Sequence, residues 1–250
     1  MIDLHCHYLP GIDDGSQSMA ESLDLARASV ADGITHAAMT PHIHPGRYDN
    51  IRSSVAMATN EFREALAQAA IPLQVFPAGE VRLTADILDL LEQDELPFLG
   101  TLYGYRVLLL EFPYGQIPVG TDKLAHWLLT QKIRPLIAHP ERNKVVLANL
   151  ERIASFVEMG CLLQLTAASV IGEFGKAVQD SAALMLERRW VSVIATDAHN
   201  LLHRAPVLAA ARDWLSEHGG QAWADELTRI TPARILGVEL AGLSSWESVD

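Results

Sequence analysis

The feature that most constrains this chain is an alternation of short apolar runs, rich in β-branched residues, with longer segments of helical periodicity. Strands are predicted at Ile2–His5, Ile34–Thr40, Leu73–Ala78, Tyr105–Glu111, Pro135–Ala138, Cys161–Thr166 and Val191–Thr196. Helices are predicted at Ser18–Ala31, Asn50–Ala70, Thr84–Leu91, Thr121–Gln131, Leu147–Met159, Gly175–Arg189, Ala205–Glu217 and Pro232–Leu236. A helix after almost every strand is typical of a mainly parallel α/β sheet or barrel, and seven strands are close to a barrel count.

The sequence contains predicted helix caps and has no segment that would divide it into two domains. Ser18 and Glu21 have the spacing of a capping box for the first helix, and Thr231 is the predicted cap of the last one. No internal repeat, low-complexity tract or Pro/Gly-rich linker divides the 250 residues, a length that buries a substantial core. We therefore predict a single domain over residues 1–250, with 241–250 as a loose tail.

Charge and cysteine usage exclude several classes of protein. The formal net charge is −12 and no Lys/Arg block could follow a phosphate backbone, so we expect no nucleic-acid partner. Divalent cations held by some of the acids would invert the local field and admit an anionic substrate. Cys6 and Cys161 do not resemble a disulfide framework, no signal peptide is apparent, and no apolar run approaches the ~18 to 20 residues that span a bilayer. The expected location is the cytoplasm, and the oligomeric state stays open.

Side chains able to bind metal follow six of the seven predicted strands directly. They are His5, His7, His42, His44, Glu80, Glu111, His139, Asp197 and His199. In parallel α/β barrels the carboxyl ends of the strands form the active-site face, so we expect these groups to converge. In an extended segment, residues two apart point to the same side. Two triplets can therefore present both of their outer residues to a metal: His5-Cys6-His7 and Asp197-Ala198-His199.

Each of these signals is weak when it stands alone. A His-x-His triplet more often consists of two surface or core histidines, and Glu80 or Glu111 could equally form a salt bridge with a neighbouring Arg or Lys. Asp14, next to Gly15, is either a turn residue or a ligand. Together, however, carboxylates and about five histidines suit a multinuclear metal site better than a single structural zinc.

Three arginines close to these candidates point to an oxyanion substrate. Arg47 follows His42, Arg142 lies three residues after His139, and Arg204 follows the Asp197 triplet. Guanidinium groups bind phosphate through paired hydrogen bonds, although surface salt bridging is the commoner role of any single arginine. No Cys-x5-Arg, Gly-x-Ser-x-Gly or P-loop pattern offers another mechanism, so we predict a metal-dependent phosphoester hydrolase.

At this point the chain resembles the polymerase and histidinol phosphatase (PHP) superfamily, and within it the bacterial manganese-dependent protein-tyrosine phosphatases of capsule and exopolysaccharide operons. The resemblance spans nearly the whole chain. It rests on Met1-Ile2-Asp3-Leu4-His5-Cys6-His7, Asp13-Asp14-Gly15, Thr40-Pro41-His42, Gly79-Glu80, Leu110-Glu111-Phe112, Ile137-Ala138-His139-Pro140-Glu141-Arg142 and Ile194-Ala195-Thr196-Asp197-Ala198-His199-Asn200.

The resemblance implies a distorted seven-stranded (β/α)7 TIM-like barrel that holds three divalent metal ions, manganese in the first place, with iron, zinc or cobalt as alternatives. Transferred residue by residue, the first ion would be held by His5, His7, Glu80 and Asp197. Glu80 would bridge to a second ion held by Glu111 and His139, and Asp14, His42 and His199 would hold the third. His44 is left without a ligand role. Arg142 and Arg204 would bind the phosphoryl group, with His199 as a candidate proton donor.

The function implied by the resemblance is dephosphorylation of phosphotyrosine, with the tail of a membrane-associated tyrosine autokinase that regulates polysaccharide export as the protein partner. A small-molecule phosphatase, for example one acting on histidinol phosphate, would use the same metals and is the alternative enzyme. A metal-stabilised binding module without catalysis is a third hypothesis, which the complete set of candidate ligands and both arginines speak against.

Overall fold

The protein is described by a computed structural model over residues 1–240, so the predicted tail at 241–250 lies outside the described residues. The strands are β1 (Ile2–Cys6), β2 (His36–Met39), β3 (His42–Ile43), β4 (Gln74–Pro77), β5 (Glu80–Arg82), β6 (Gly100–Leu102), β7 (Tyr105–Glu111), β8 (Ile133–Ala138), β9 (Leu162–Thr166) and β10 (Val193–Ala195). The helices are α1 (Met19–Ala31), α2 (Arg52–Gln68), α3 (Ile87–Glu92), α4 (Thr121–Thr130), α5 (Lys144–Ala148), α6 (Glu151–Glu158), α7 (Ala167–Val170), α8 (Lys176–Glu187), α9 (Ala209–Gly219), α10 (Gln221–Asp225) and α11 (Thr231–Leu236).

The strands form two sheets that are almost wholly parallel. One has the order β1-β2-β4, and the other the order β10-β9-β8-β7-β5-β3, with β6 pairing antiparallel to β7. Only Thr40 and Pro41 separate β2 from β3, so one stretch of chain contributes to both sheets. Backbone hydrogen bonds also connect β1 to the segment after β10, from Asp197 N to His5 O (2.7 Å) and from His7 N to Ala198 O (2.9 Å). The result is an α/β fold with mostly parallel sheets, as predicted.

Alternate residues of the strands pack into two separate apolar clusters. Val107 and Leu109 of β7 belong to a smaller cluster together with Ile2 and Leu4 of β1, whereas Leu108 and Leu110 pack into the larger cluster beneath the helices. Cys6 belongs to the larger cluster although it lies two residues after Leu4. Side chains two apart on a regular strand would share a face, so β1 is irregular between these positions.

The irregularity in β1 is a β-bulge. Asp3 pairs with Ala37 but Cys6 pairs with Met39, so three steps along β1 match two steps along β2. The extra residue resets the alternation and brings His5 and His7 to the face of β1 that carries Leu4. The bulge therefore decides where both histidines point.

The structure corrects several boundaries that were predicted from sequence. The predicted helix Leu147–Met159 is broken into α5 and α6, because the Asn149 side chain accepts a hydrogen bond from Glu151 N (3.1 Å) in place of a helical carbonyl. Three short strands, β3, β5 and β6, were not predicted. Among residues 1–240, no helix is both long and apolar enough to cross a membrane.

The predicted helix caps were partly right. Ser18 does cap α1, since its Oγ accepts from Glu21 N (3.3 Å), but the Glu21 carboxylate accepts from Gln17 N (2.8 Å) one residue earlier than a capping box requires. Thr231 was wrongly predicted to be a cap. A π-helical stretch at Glu226–Ile230 leads directly into α11, and the Thr231 hydroxyl donates to Glu226 Oε1 (2.6 Å) instead.

Candidate metal centre

Four buried side chains form the centre of the site. His5 Nε2 lies 3.3 Å from both Glu80 Oε2 and Asp197 Oδ1, and His7 Nε2 lies 3.5 Å from the same two oxygens. All four side chains are at most 1% exposed, and none of these four atoms has a hydrogen-bond partner among the described residues. Unpartnered polar atoms are costly to bury. Two imidazole nitrogens and two carboxylate oxygens facing one point are the donor set of a divalent metal ion, so the residues fit such an ion.

The outer nitrogens of these histidines are fixed by hydrogen bonds. His5 Nδ1 donates to Gln164 Oε1 (2.9 Å), and His7 Nδ1 donates to Asp13 Oδ2 (2.7 Å). A proton on Nδ1 leaves the lone pair on Nε2, the atom that faces the centre. Sequence reasoning missed both Gln164 and Asp13. An amide in the middle of the apolar run Leu162–Thr166 was the one signal that could have revealed Gln164.

Gly15 is required beside His7 because the two backbones touch. A Cβ atom at this position would lie 2.1 Å from the carbonyl oxygen of His7, and Gly15 N donates to Asp13 Oδ1 (2.9 Å). The turn Asp13-Asp14-Gly15 thus presses against β1, with Asp13 beneath His7 and Asp14 directed to the neighbouring histidines. This close contact explains the glycine of the motif.

We expect Gln164→Leu to lower the affinity for divalent metal by about 10- to 100-fold, because it removes the acceptor that orients the His5 ring while keeping the side-chain size. Gln164 is fully buried, and its Nε2 has no partner whose loss would confuse the result. Metal titration monitored by calorimetry measures the change. Gln164→Glu retains an acceptor oxygen and serves as the control. Equal metal affinity of Gln164→Leu and the unmodified protein would refute the role of this amide.

A second group of side chains lies on the solvent side of His7. His42 Nε2 is 3.2 Å and His199 Nε2 is 3.6 Å from Asp14 Oδ1, and these three residues share a cluster with His7. Burial, together with the charge of a protonated His7, lowers the pKa of His199 to about 4. His199 is therefore neutral near pH 7. A neutral imidazole suits a metal ligand, whereas a strong general acid would be the imidazolium form, so the role of His199 as proton donor stays a prediction.

Glu80 contacts four of the candidate ligands, His5, His7, His42 and His139. Its Oε1 accepts from His139 Nε2 (2.8 Å). Its Oε2 lies 2.8 Å from His42 Nδ1, an ion-pair distance without hydrogen-bond geometry, and close to His5 and His7. Glu111 clusters with Glu80 and His42, whereas the resemblance groups it with Glu80 and His139. Glu111 also forms the salt bridge that was its alternative role, with Arg82 Nη1 at 2.7 Å.

Two of the candidate ligands have strained backbones. His139 directly follows β8 with φ of 34°, and Asp197 follows β10 with φ of 54°. A non-glycine residue in this left-handed region costs about 1–3 kcal/mol and is found mostly where function requires it. In both places the turn aims the side chain back across the ends of the strands.

The arginines predicted to bind phosphate reach the centre. Arg142 Nη1 lies 2.5 Å from Asp197 Oδ2, and Arg204 contacts the same oxygen. The guanidinium group of Arg142 also lies over the Phe174 ring at 4.9 Å. Burial opposes the charge of Arg142, but the Asp197 and Glu141 carboxylates outweigh that effect and raise the pKa of Arg142.

Glu141 is a further residue that sequence reasoning left without a role. It is fully buried, and its Oε1 accepts from Thr166 N (2.9 Å) and Ser169 Oγ (2.7 Å). These bonds attach the 3₁₀ turn Pro140–Arg142 to the end of β9 and the start of α7. The backbone of Arg142 is held in place by them.

Most of the candidate ligands and both arginines line one cavity of about 220 Å³. The lining includes both arginines and six of the candidate ligands, Asp14, His42, Glu80, Glu111, His139 and Asp197, whereas His5, His7 and His199 are buried and do not line it. The rest of the wall includes His44, Arg47, Tyr48, Arg82, Phe112 and Tyr114. His44 and Arg47 thus lie at the mouth and not in the centre. The structure brings together every residue of the predicted ligand set. Whether each holds an ion stays a prediction.

The chain matches a protein family over nearly its whole length and is similar to named phosphatases. The family described as "Capsular polysaccharide synthesis, CpsB/CapC" matches residues 1–237. The tyrosine-protein phosphatase YwqE of Bacillus subtilis is 36% identical over 205 residues, 82% of this chain and 79% of the relative. The tyrosine-protein phosphatase CpsB of Streptococcus pneumoniae is 32% identical over 245 residues, 94% of this chain and 98% of the relative.

Solved structures extend the comparison. A structure described with YwqE and CpsB as "unique metal-dependent tyrosine phosphatases" superposes with a TM-score of 0.88 at 32% identity and covers 96% of each chain. A mutant organophosphorus hydrolase superposes with a TM-score of 0.58 at 15% identity, over 94% of this chain and 92% of that one. The second likeness concerns the fold alone.

Proposed function

This chain belongs to the CpsB/CapC family of capsular polysaccharide synthesis proteins, and on that premise we propose that it is a metal-dependent protein-tyrosine phosphatase. The observation that carries the proposal is the convergence of unpartnered, fully buried donor atoms from His5, His7, Glu80 and Asp197 beside two arginines. Metal-binding atoms next to guanidinium groups suit a phosphate monoester.

We assign the ligands as the resemblance groups them. His5, His7, Glu80 and Asp197 would hold one ion, Glu80, Glu111 and His139 a second, and Asp14, His42 and His199 a third. Such ions lower the pKa of water and offset negative charge on a phosphoryl group. The central position of Glu80 supports its role as the bridging carboxylate. The assignment of Glu111 is the least direct, since its salt bridge with Arg82 must loosen for it to bind a metal.

Arg142 and Arg204 would bind the non-bridging oxygens of the phosphoryl group. Both guanidinium groups already reach the carboxylate of Asp197 at the centre, so a phosphate bound beside that residue lies within their range. Fixed donors aimed at an oxyanion stabilise the charge that develops in the transition state. A tyrosyl leaving group, with a pKa of about 10, needs less protonation than an alkyl alcohol, which agrees with the neutral state of His199.

The remaining sequence-based expectations stay proposals. We propose that the two sheets close into one seven-stranded barrel, in which β2 with β3 and β4 with β5 each count as one strand and β6 is an addition at the edge of β7. The hydrogen bonds of His5 and His7 with the Asp197 segment support this closure, and we also propose that the chain is a single domain. We also propose three ions, with manganese preferred, and a tyrosine autokinase tail as substrate in the cytoplasm. The relatives named as tyrosine-protein phosphatases support the class of substrate, and Cys6 and Cys161 are free thiols, as a reducing compartment requires.

The proposal is tested by hydrolysis of p-nitrophenyl phosphate and of a tyrosine-phosphorylated peptide, with and without chelator, together with His139→Ala. We expect activity to be lost in the chelated protein, restored by manganese, and lost in the variant. Metal analysis should find about three ions per chain. Full activity in the chelated sample or in the variant would refute the mechanism. A much higher efficiency with histidinol phosphate than with the peptide would instead favour a small-molecule phosphatase.

Metal affinity should rise steeply with pH between about 7 and 9. Burial opposes protonation of His5, but the carboxylates of Glu80 and Asp197 outweigh it and raise the pKa of His5 to about 9 in the metal-free protein. Binding requires the neutral ring, so below that pKa each ion displaces a proton and affinity increases about tenfold per pH unit per proton released. Calorimetry of manganese binding in buffers of different ionisation enthalpy measures this release. A pH-independent affinity would contradict it.

A further inference from the structure

The mouth of the cavity carries positive charge that the proposed catalysis does not use. Of the four arginines that line the cavity, Arg82 is paired with Glu111, and Arg142 and Arg204 are paired with Asp197. Arg47 has no carboxylate within 4.0 Å among residues 1–240, and neither has Lys144 just outside the lining. Two unpaired cations at one opening are notable in a chain whose net charge is −12.

Both cations lie over tyrosine rings of the cavity wall. The Arg47 guanidinium carbon is 5.0 Å from the centre of the Tyr48 ring, and Lys144 Nζ is 5.1 Å from the centre of the Tyr114 ring. Tyr48 is stacked on His42 with an angle of 12° between the rings, and Tyr114 is 58% exposed. Each pair thus combines an apolar ring face with a charge at the entrance.

The two pairs stand on opposite sides of the opening. Arg47 and Tyr48 belong to the tight turn after β3, which is closed by the mutual backbone hydrogen bonds of His44 and Tyr48. Tyr114 follows β7 and Lys144 follows β8, and Lys144 N donates to Tyr114 O (3.0 Å). In the sheet, β5 (Glu80–Arg82) lies between β3 and β7, so its carboxyl end, at Arg82, lies between the ends of the two strands that lead to Arg47–Tyr48 and to Tyr114.

We propose that Arg47–Tyr48 and Lys144–Tyr114 form a peptide-binding rim that selects phosphotyrosine flanked by acidic residues. The inference rests on the proposed phosphatase function and deepens it by naming the substrate class. The tyrosine faces border the path of the substrate phenyl ring, and the cations meet carboxylates on either side of it in the peptide. Charge complementarity favours an acidic partner, since neither Arg47 nor Lys144 has a carboxylate within 4.0 Å among residues 1–240.

The effect of the rim is moderate and sensitive to salt. Exposed ion pairs contribute little singly and are screened over about 10 Å at 0.1 M salt. Two of them acting on one peptide would favour an acidic sequence by about tenfold in kcat/KM at low ionic strength, and the preference should shrink as salt is added. An interaction with the phosphoryl group itself would not distinguish peptides by their flanking residues.

The test compares the peptides Glu-Glu-pTyr-Glu-Glu and Gln-Gln-pTyr-Gln-Gln in the metal-loaded full chain. The variant is Arg47→Gln combined with Lys144→Gln. The matched control is Arg189→Gln combined with Lys132→Gln, which removes the same charge. Arg189 and Lys132 also lie over aromatic rings, those of Trp223 (3.9 Å) and Tyr105 (4.8 Å), but they precede β10 and β8 at the opposite end of the strands.

We expect the unmodified protein and the control to prefer the acidic peptide about tenfold and the rim variant to treat both peptides alike, with hydrolysis of p-nitrophenyl phosphate unchanged throughout. Equal efficiency on both peptides in the unmodified protein, or an undiminished preference in the rim variant, would overturn the proposal. Binding of the same sequences with a non-hydrolysable phosphonate, followed by fluorescence anisotropy, separates the two hypotheses. Selective binding without any phosphatase activity would support the rim and refute the proposed function.

Discussion

Glu80→Gln is expected to lower kcat/KM for p-nitrophenyl phosphate by at least about 10³-fold. Glu80 is fully buried and meets four histidines, at 2.8 Å from His42 and His139, 3.3 Å from His5 and 3.5 Å from His7. A glutamine has the same shape but no charge, and it presents an NH₂ group where two ions would share an oxygen. Loss of bound metal should accompany loss of activity.

The measurements are metal content per chain and steady-state rates with added manganese. Glu92→Gln, on the exposed face of α3, is the matched control and should behave like the unmodified protein. Circular dichroism separates a folded, metal-depleted variant from an unfolded one. Retention of all ions, with activity within tenfold of the unmodified protein, would disprove the bridging role of Glu80.

Arg142→Ala is expected to reduce kcat/KM by about 10²- to 10³-fold while the metal content stays unchanged. The arginine contacts Asp197 at the centre, and its backbone is fixed through Glu141, so its loss removes a donor that the fold has already positioned. Inhibition by inorganic phosphate should weaken in parallel. Arg142→Lys keeps the charge but not the paired geometry, and we expect it to recover only part of the activity.

The control for Arg142 is Arg106→Ala. Arg106 also lies over an aromatic ring, that of Phe98 at 4.3 Å, but it is near the start of β7, far from the strand ends that carry the site. Loss of metal from Arg142→Ala would mean that the arginine acts through Asp197 rather than on phosphate. Inhibition of Arg142→Ala by inorganic phosphate at the same strength as the unmodified protein would likewise mean that Arg142 does not bind phosphate.

The limits of a strand were predicted best where both faces of that strand are buried. Strand β7 was predicted with its observed limits, Tyr105–Glu111, because a continuous apolar run can bury both faces in a parallel sheet. The hairpin before it escaped prediction. Its turn is Tyr103-Gly104, with both residues at positive φ (50° and 75°), and tyrosine is not a residue that signals such a turn.

Most of the proposed ligands could be predicted because they lie at or just after the ends of predicted strands, and the ends of parallel strands converge whatever the details of packing. Asp14, in the turn after β1, was assigned by the family resemblance. The residues that orient the ligands could not be predicted. Gln164 meets His5 across 159 residues of sequence, and Glu141 reaches Ser169 from a different element. Such contacts depend on how the strands are placed beside one another, which no local pattern records. A salt bridge of Glu111 with some neighbouring Arg or Lys was predicted as an alternative role, but Arg82 was not identified as the partner.

The bulge in β1 has a consequence for how sequences of this kind can vary. Substitutions within Ile2–Cys6 alter single contacts, but a deletion of one residue would restore regular alternation and turn His5 and His7 from the metal side of the strand to the side of the helices. The length of this short strand is therefore under tighter constraint than most of its side chains. Insertions and deletions should be tolerated in the surface loops and rejected between Asp3 and Cys6.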